Sequence, residues 1–286
     1  MSDWRRMIID SRYKTADSVS NADFYVQLPW NCTVPAGSQL FIDGIVLSHS
    51  WNTVIEGQND TLYMKETVPG YFPHWRKLTL TPGDYNGVNL AVHLKALLNT
   101  GTTMAASSWN VVFAFGHLTI SNSTPQVTGE AKIFSRAEVE DTSFGASVWG
   151  GGAGAAYGGF PVHDCNELIG HMATQNDIFL NSPLVCSFID LQHHKQLFLH
   201  SPGLGESSTM NMLGNTDIVR RIILGQSQTG DVITDVLQTA LSSVTFGTDT
   251  TLQRIHFQIK GYDGRVIPMQ FHQVSFEMII IHPDDK

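Results

Sequence analysis

Alternation of apolar and polar residues is the feature of this sequence that most limits its fold. Over 255–260, Ile, Phe and Ile alternate with His, Gln and Lys, and over 274–280 every second residue is apolar. Successive side chains of a β-strand point to opposite faces, so this pattern predicts strands with one buried face each. Asp263-Gly264, between the two runs, predicts a hairpin turn that returns the second strand against the same core.

The same pattern recurs along most of the chain. It predicts strands at 24–28, 39–51, 61–66, 76–80, 110–115, 117–121, 184–191, 196–201, 218–224, 231–237, 243–247, 251–260 and 272–282. Gly44 interrupts the second of these and predicts a β-bulge there. Many short strands separated by turn residues favour a sandwich or jelly roll over a parallel sheet. The predicted fold class is therefore mainly β, a jelly-roll β-sandwich.

One segment has helical rather than strand periodicity. Leucines at 90, 94, 97 and 98 recur at the spacing of one helix face, and Gly101 is placed as a C-terminal stop. This predicts a helix between about Asn86 and Thr100, with all four leucines buried and Lys95 facing solvent or a partner.

The order of these elements predicts the domain organisation. A jelly-roll domain would comprise 1–74 and 166–286, interrupted by a small α+β insertion (strand, helix, hairpin) at 75–144. Residues 145–165 include a low-complexity stretch rich in glycine and alanine and are expected to form a glycine-rich loop. The loop either orders against a neighbouring subunit or is a plain linker.

Charge composition excludes some functions. Only 15% of the residues are charged, and the formal net charge is −9. Nucleic-acid binding needs a basic stripe, whereas the basic clusters are no longer than pairs such as Arg5-Arg6 and Arg220-Arg221, so no specific nucleic acid is expected. No stretch is apolar enough for a membrane span. A low charge fraction is also typical of chains that pack into assemblies, since interface cores are depleted of charge.

The sequence contains no recognisable catalytic or metal-binding motif. Cys32, Cys165 and Cys186 are too few and too widely spaced for a zinc knuckle or a disulfide framework, and are expected to be reduced and mostly buried. The adjacent His193 and His194 would point to opposite faces of a strand and could not share one metal ion. With no nucleophile elbow or phosphate loop present, the sequence predicts a non-enzyme that needs no cofactor.

Several blocks, taken in order, resemble the penton-type minor capsid proteins of polinton-like viruses, virophages and related double-jelly-roll DNA viruses. The blocks are Ile9-Asp10-Ser11-Arg12 with Thr15, residues 21–28, residues 78–85 with the leucine-rich helix, residues 166–170, residues 197–201, residues 217–222, Tyr262-Asp263-Gly264 and residues 276–279. The sequence departs from the family at Ile223-Leu224-Gly225, where Pro-Val is usual, and in the glycine-rich loop.

This resemblance implies a structural capsid protein that forms homopentamers at the fivefold vertices of an icosahedral virion. It implies contact with the major capsid protein and with other minor capsid proteins, and assembly inside the infected host cell. Three alternatives remain open: a minor cement capsid protein, a receptor- or glycan-binding β-sandwich used for attachment, and a hydrolase whose triad is scattered along the chain.

Two segments are predicted to make contacts with other subunits. The first is the N-terminal arm up to about residue 20, which mixes basic and apolar residues; the alternative is that Met7-Ile8-Ile9 is the first edge strand of the jelly roll. The second is the glycine-rich loop. The candidate interface residues are Trp4, Arg5, Arg6, Arg12, Trp149 and Tyr157.

Overall fold

The structure is a computed structural model of the 286-residue chain. It describes residues 5–68, 70–103, 108–123, 130–140, 164–171, 178–179, 183–192, 194–204, 214, 216–225, 227–236 and 243–283. The strands in these residues are β1 (Arg5–Asp10), β2 (Asp23–Val34), β3 (Gln39–Ser48), β4 (Thr61–Thr67), β5 (His74–Thr79), β6 (Trp109–Ala114), β7 (His117–Asn122), β8 (Glu130–Ile133), β9 (Ile178–Phe179), β10 (Leu184–Phe188), β11 (Gln196–His200), β12 (Ile218–Ile223), β13 (Val232–Asp235), β14 (Ser243–Thr245), β15 (Thr250–Lys260) and β16 (Val274–Ile281). The α-helices in the same residues are α1 (Gly87–Asn99), α2 (Arg136–Glu140) and α3 (Asn166–Ile169), and Ser11–Tyr13 form a short 3-10 helix.

The chain divides into two compact units. Unit 1 contains residues 1–51 and 194–286, and unit 2 contains residues 52–193, so unit 2 is inserted between β3 and β11 in the sequence. Residues 52–74 and 166–193 therefore belong to unit 2, whereas the sequence analysis assigned them to the jelly-roll domain. The reason is pairing: β4 is hydrogen-bonded to β5 and β8 along its length, and β10 to β7.

Unit 1 is a jelly roll, as the alternation predicts. One sheet has the order β1-β16-β3-β13, with β14 also paired to β3, and the other has the order β12-β11-β15-β2. Consecutive strands mostly alternate between the sheets, which is how a jelly roll is wound. The core between the sheets includes Phe24, Phe257 and Phe276, with the last two rings edge-to-face at 5.0 Å.

The turn predicted at Asp263-Gly264 forms, since Val266 pairs with Lys260 and the Ile267 N–H donates to Ile259 O, but the predicted pairing of β16 with β15 is wrong. β15 and β16 lie in different sheets, and residues 261–273 carry the chain from one sheet to the other. Gly264 does adopt a left-handed conformation (φ 81°), and its N–H donates to Gly261 O, closing a local turn. The two strands nevertheless face one core, as predicted, because the turn places them opposite each other rather than side by side.

The bulge at Gly44 is confirmed. Between Ser275 and Glu277 of β16 the register advances by one more residue on β3, where the partners are Val46 and Asp43. Gly44 has φ 57°, and its N–H donates to the Asp43 carboxylate at 2.7 Å. Glycine suits this position because other residues adopt the left-handed region only at a cost.

Residues 5–10 form a strand rather than a free arm. β1 pairs antiparallel with β16 from Arg5 opposite Ile280 to Asp10 opposite Ser275. Among the described strands, β1 is the last on its side of the sheet. The alternative prediction, that Met7-Ile8-Ile9 belongs to an edge strand, is therefore confirmed.

Unit 2 combines α1 with two sheets, β10-β7-β6 and β5-β4-β8-β9. α1 begins at the Asn86 cap, whose side chain accepts the Asn89 N–H at 2.9 Å. Leu90, Leu94 and Leu98 are buried as predicted, but Leu97 is only partly buried. They share a core cluster with the inner side chains of β6 and β7, among them Trp109, Val111, Leu118 and Ile120.

The C-terminal end of α1 is held by a buried ion pair. Arg76 Nη1 donates to Glu66 Oε1 at 2.5 Å, and the same guanidinium donates to the carbonyl oxygens of Leu97, Leu98 and Thr100. The last carbonyls of a helix lack the N–H partner four residues on that the interior carbonyls have. Arg76 therefore caps α1 and neutralises Glu66 at the same time.

Candidate assembly surfaces

Three of the predicted interface residues lie at the N-terminal edge of unit 1. Arg5 and Arg6 are exposed on β1, and Arg6 forms an ion pair with Glu277 of the neighbouring strand at 3.3 Å. Arg12 is exposed just after β1. Trp4, Trp149 and Tyr157, with residues 145–163 of the glycine-rich loop, lie outside the described residues.

Arg12 is held by a local structure. Its backbone N–H donates to Asp10 Oδ1, and its guanidinium donates to Asp10 Oδ2 at 2.9 and 2.6 Å. These hydrogen bonds hold the pKa of Asp10 below its ordinary value. Between the two, Ser11 accepts the Val274 N–H at 3.0 Å. The Asp-Ser-Arg block thus joins the end of β1 to the start of β16, which is a structural role.

The outer face of β2 and β15 shows polar side chains that satisfy one another. His256 Nε2 and Asp23 Oδ1 lie 2.6 Å apart, and Gln258 donates to Asp23 Oδ2 at 3.0 Å. The Tyr25 ring stacks on His256 with centroids 4.1 Å apart. Charged and hydrogen-bonded ladders of this kind are typical of a sheet face that is solvated.

The three-stranded sheet of unit 2 has an outer face of a different character. Residues 109–123 and 184–188 contain no Asp, Glu, Lys or Arg. Val112 and Val185 lie on either side of Thr119 in one cross-strand row, and all three point away from the core. We call Val112, Phe115, Val185 and Phe188 the sheet patch. All four side chains are exposed, Phe188 to 70%.

Phe115 has an unfavourable backbone conformation. It forms the turn between β6 and β7 with φ 52°, a region that bulky residues seldom adopt, and its side chain is 95% exposed. Its neighbour Gly116 also has positive φ, and a Cβ there would lie 2.7 Å from the Phe188 ring. The glycine therefore lets Phe188 lie close against the turn, beside Phe115. Strain of this kind is concentrated at functional positions.

A second apolar strip lies on α1. Val88, Val92 and Ala96 follow one another at intervals of four residues, which places them in a row on the helix surface, and all three are exposed. We call these three residues the helix stripe. The charged residue next to them is Lys95, whose Nζ donates to Asn110 Oδ1 at 2.9 Å. Lys95 is exposed, as predicted.

Sequence reasoning missed both surfaces. A signal for the sheet patch was present. Two of the three outward positions of β6, Val112 and Ala114, are apolar, as are the inward ones, which is unusual for an antiparallel sheet with one solvated face. For α1, Val88 and Val92 lie outside the leucine face and mark a second apolar strip.

Burial and local contacts account for the described cysteines and for two of the described histidines. No group of three His, Cys, Asp or Glu that could hold a metal ion occurs in the part of the chain that the structure describes. Cys32, Cys165 and Cys186 are free and buried, and burial raises the pKa of Cys186 to about 12 and that of Cys165 well above its usual value. These last two thiols are therefore protonated and poor nucleophiles.

Two histidines illustrate the same point. His200 is fully buried with Nδ1 2.9 Å from Asp217 Oδ1, and burial lowers its pKa despite the neighbouring carboxylate. His194 is buried with its ring edge-to-face against Trp51 and Tyr262, and His193 lies outside the described residues. Within the described ranges, no helix has the length and apolar character needed to cross a membrane.

Comparison with known proteins finds a likeness in fold. No protein-family model and no curated protein sequence matches the chain. Among solved structures, the crystal structure of the mavirus penton protein is similar, with a TM-score of 0.52 and 8% sequence identity. The likeness covers 97% of this chain and 98% of the penton protein. The likeness supports a penton-like fold across both units. Because the sequence identity is only 8%, it supports the fold alone.

Proposed function

We propose that this chain is a structural, non-enzymatic capsid protein that forms the fivefold vertex of an icosahedral DNA virus. It assembles as a homopentamer, contacts the major capsid protein and other minor capsid proteins, and resides in the virion after assembly in the infected cell. It uses no cofactor, binds no specific nucleic acid and spans no membrane.

The observation that carries the proposal is the extent of the structural likeness. Jelly rolls alone host many functions, so a match confined to unit 1 would say little. The likeness to the mavirus penton protein spans nearly the whole of both chains, which includes the unit inserted between β3 and β11. A jelly roll carrying an insertion of this kind at this place is a more specific feature than the sandwich alone.

The surface chemistry supports assembly. The sheet patch and the helix stripe expose valine and phenylalanine side chains with little charge around them, as the cores of protein interfaces do. The edge strand β1 of unit 1 also displays Ile8 with 76% of its surface exposed, between Arg6 and the turn at Asp10. Exposed apolar residues on an edge strand favour contact with another chain.

The test is the mass of the purified protein. Native mass spectrometry and analytical ultracentrifugation should give a particle of about five times the 31.6 kDa of one chain. Particles reconstituted with the major capsid protein should show this chain as density at the fivefold vertices. A monodisperse monomer at high concentration, or density only between capsomers as for a cement protein, would contradict the vertex assignment.

A further inference from the structure

We propose that neighbouring copies of this chain contact each other head to tail through unit 2, with the helix stripe of one copy packed on the sheet patch of the next. This inference rests on the proposed homopentamer and names the surfaces that join its subunits. The occupant of the sheet patch is thus a second copy of this chain, presenting Val88, Val92 and Ala96.

The first step is the placement of the two surfaces. The inner side chains of β6 and β7 and the buried leucines of α1 belong to one core cluster. The sheet patch points away from this core on the sheet side, and the helix stripe points away from it on the helix side. The two surfaces are therefore two different exposed faces of one helix-and-sheet pair within the same unit.

This placement suits a ring. A cyclic assembly of more than two subunits uses a heterologous interface, in which two different patches of one subunit meet their counterparts on its two neighbours. Two different apolar patches on one subunit satisfy that requirement. A single self-complementary patch would give a dimer instead.

The charges also favour a second copy as the occupant. The chain has a formal net charge of −9, so two copies repel each other wherever acidic surface meets acidic surface. The three-stranded sheet has no charged side chain, and among the residues of α1 only Lys95 is charged. Copies of this acidic chain can approach through these two faces without bringing carboxylates together.

The shapes are compatible. Valines four residues apart on a helix form a narrow ridge, and the row Val112-Thr119-Val185 is a flat strip of small side chains on which such a ridge can lie. Phe115 and Phe188 lie beside that row, toward the turn between β6 and β7, where Phe188 lies against Gly116. Aromatic side chains are common anchors in interfaces.

The test uses paired cysteines. The three native thiols are buried, so new surface cysteines are the ones that a short bis-maleimide can reach. In the double variant Val92→Cys with Val112→Cys, the reagent should link copies into a ladder that ends at five subunits. Either single variant should give no ladder. Dimers formed by a single variant would mean that identical faces meet, and would overturn the head-to-tail arrangement.

A charge exchange provides the second test. Val112→Asp should raise the concentration at which half of the protein is assembled by about tenfold or more, since a carboxylate then enters an apolar contact. Adding Val92→Lys should restore assembly towards the wild-type value. Val19→Asp is the matched control: Val19 is 81% exposed but lies in unit 1, outside both surfaces, and its variant should assemble as the wild type does.

The outcomes separate this inference from the proposed function. If the wild type is a pentamer and neither cross-linking nor Val112→Asp gives the expected result, the vertex proposal stands and the head-to-tail contact is wrong. If the wild type remains a monomer, both are wrong. Circular dichroism of every variant should match that of the wild type, since all the substituted positions are exposed in the monomer.

Discussion

Glu66 and Arg76 are the residues for which burial and charge are most directly opposed. Both side chains are buried in unit 2, and the pair is completed by Thr102, Thr103 and Trp109, which donate to the Glu66 carboxylate at 2.8–3.2 Å. Removing one partner of a buried pair leaves an uncompensated charge. We therefore expect Arg76→Met to lower the free energy of unfolding by about 3–5 kcal/mol, measured by chemical denaturation.

The control for this prediction is the next residue along the strand. Lys77 is exposed, so Lys77→Met should change the free energy of unfolding by no more than about 0.5 kcal/mol. The double variant Arg76→Met with Glu66→Gln should be less damaged than Arg76→Met alone, because no bare carboxylate is then buried. Equal losses in the single and double variants would show that Arg76 acts through packing and helix capping rather than through charge.

The same carboxylate predicts a pH dependence. Burial by itself would raise the pKa of Glu66, but the backbone hydrogen bond from Thr103, the charge of Arg76 and the threonine hydroxyls together lower it below the usual 4.5. A carboxyl group whose pKa is lower in the folded state stabilises the protein above its unfolded pKa, and this stability is lost as the pH falls through the folded pKa. Stability should therefore decrease below about pH 4.5.

The measurement is the free energy of unfolding of the wild type and of Glu66→Gln between pH 3 and 6. The variant should be less stable than the wild type near neutral pH, and the gap should narrow as the pH falls, since the amide that replaces the carboxylate cannot titrate. Asp10 and Glu138 also have lowered pKa values and give both proteins a common slope. A gap that stays constant with pH would mean that folding does not lower the pKa of Glu66.

At the scale of elements, β1 offers a comparison between two adjacent isoleucines. Ile9 is buried in the core, whereas Ile8 points outward from the same edge strand. Ile9→Asp places a carboxylate in an apolar core and should prevent folding of unit 1 or lower its melting temperature sharply. Ile8→Asp should leave the melting temperature nearly unchanged. Similar effects at both positions, measured by thermal denaturation, would contradict the pairing of β1 with β16.

The elements themselves could be predicted because their signals are local. The alternation over 255–260 and the leucine spacing in α1 lie within a few residues, and both elements form where they were expected. Pairing could not be predicted in the same way. β1 finds its partner β16 near the other end of the chain, and the turn at Asp263-Gly264 looks the same in sequence whether it joins neighbours in one sheet or crosses between two.

The candidate surfaces were harder to predict than the elements for a related reason. Whether Val92 or Val112 is exposed depends on which side of its element the core occupies, and both sides of these elements carry apolar residues. The Arg76–Glu66 pair was missed because its members lie on two different strands. Arg76 also caps the end of a helix that only the fold brings near it. Charge composition alone did favour an assembling chain, but it could not indicate through which residues.

At the scale of the whole molecule, the balance between net charge and apolar contact predicts how assembly responds to salt. The chain has a formal net charge of −9 at pH 7, and the surfaces proposed to join its copies are almost uncharged. Repulsion between copies is screened as salt rises, since the Debye length falls from about 10 Å at 0.1 M to about 3 Å at 1 M. Apolar contacts are not weakened by this screening. Assembly should therefore become tighter between 0.05 and 0.5 M sodium chloride.

Sedimentation velocity at several protein concentrations would measure how assembly depends on salt, for the wild type and for Val112→Asp. In the variant the added carboxylate faces an apolar strip rather than another charge, so salt should recover only the part of the loss that comes from general repulsion. If assembly of the wild type weakens as salt rises, then ion pairs rather than apolar faces hold the copies together. The contact would then have to be sought at charged positions such as Arg5, Arg6 or Arg221.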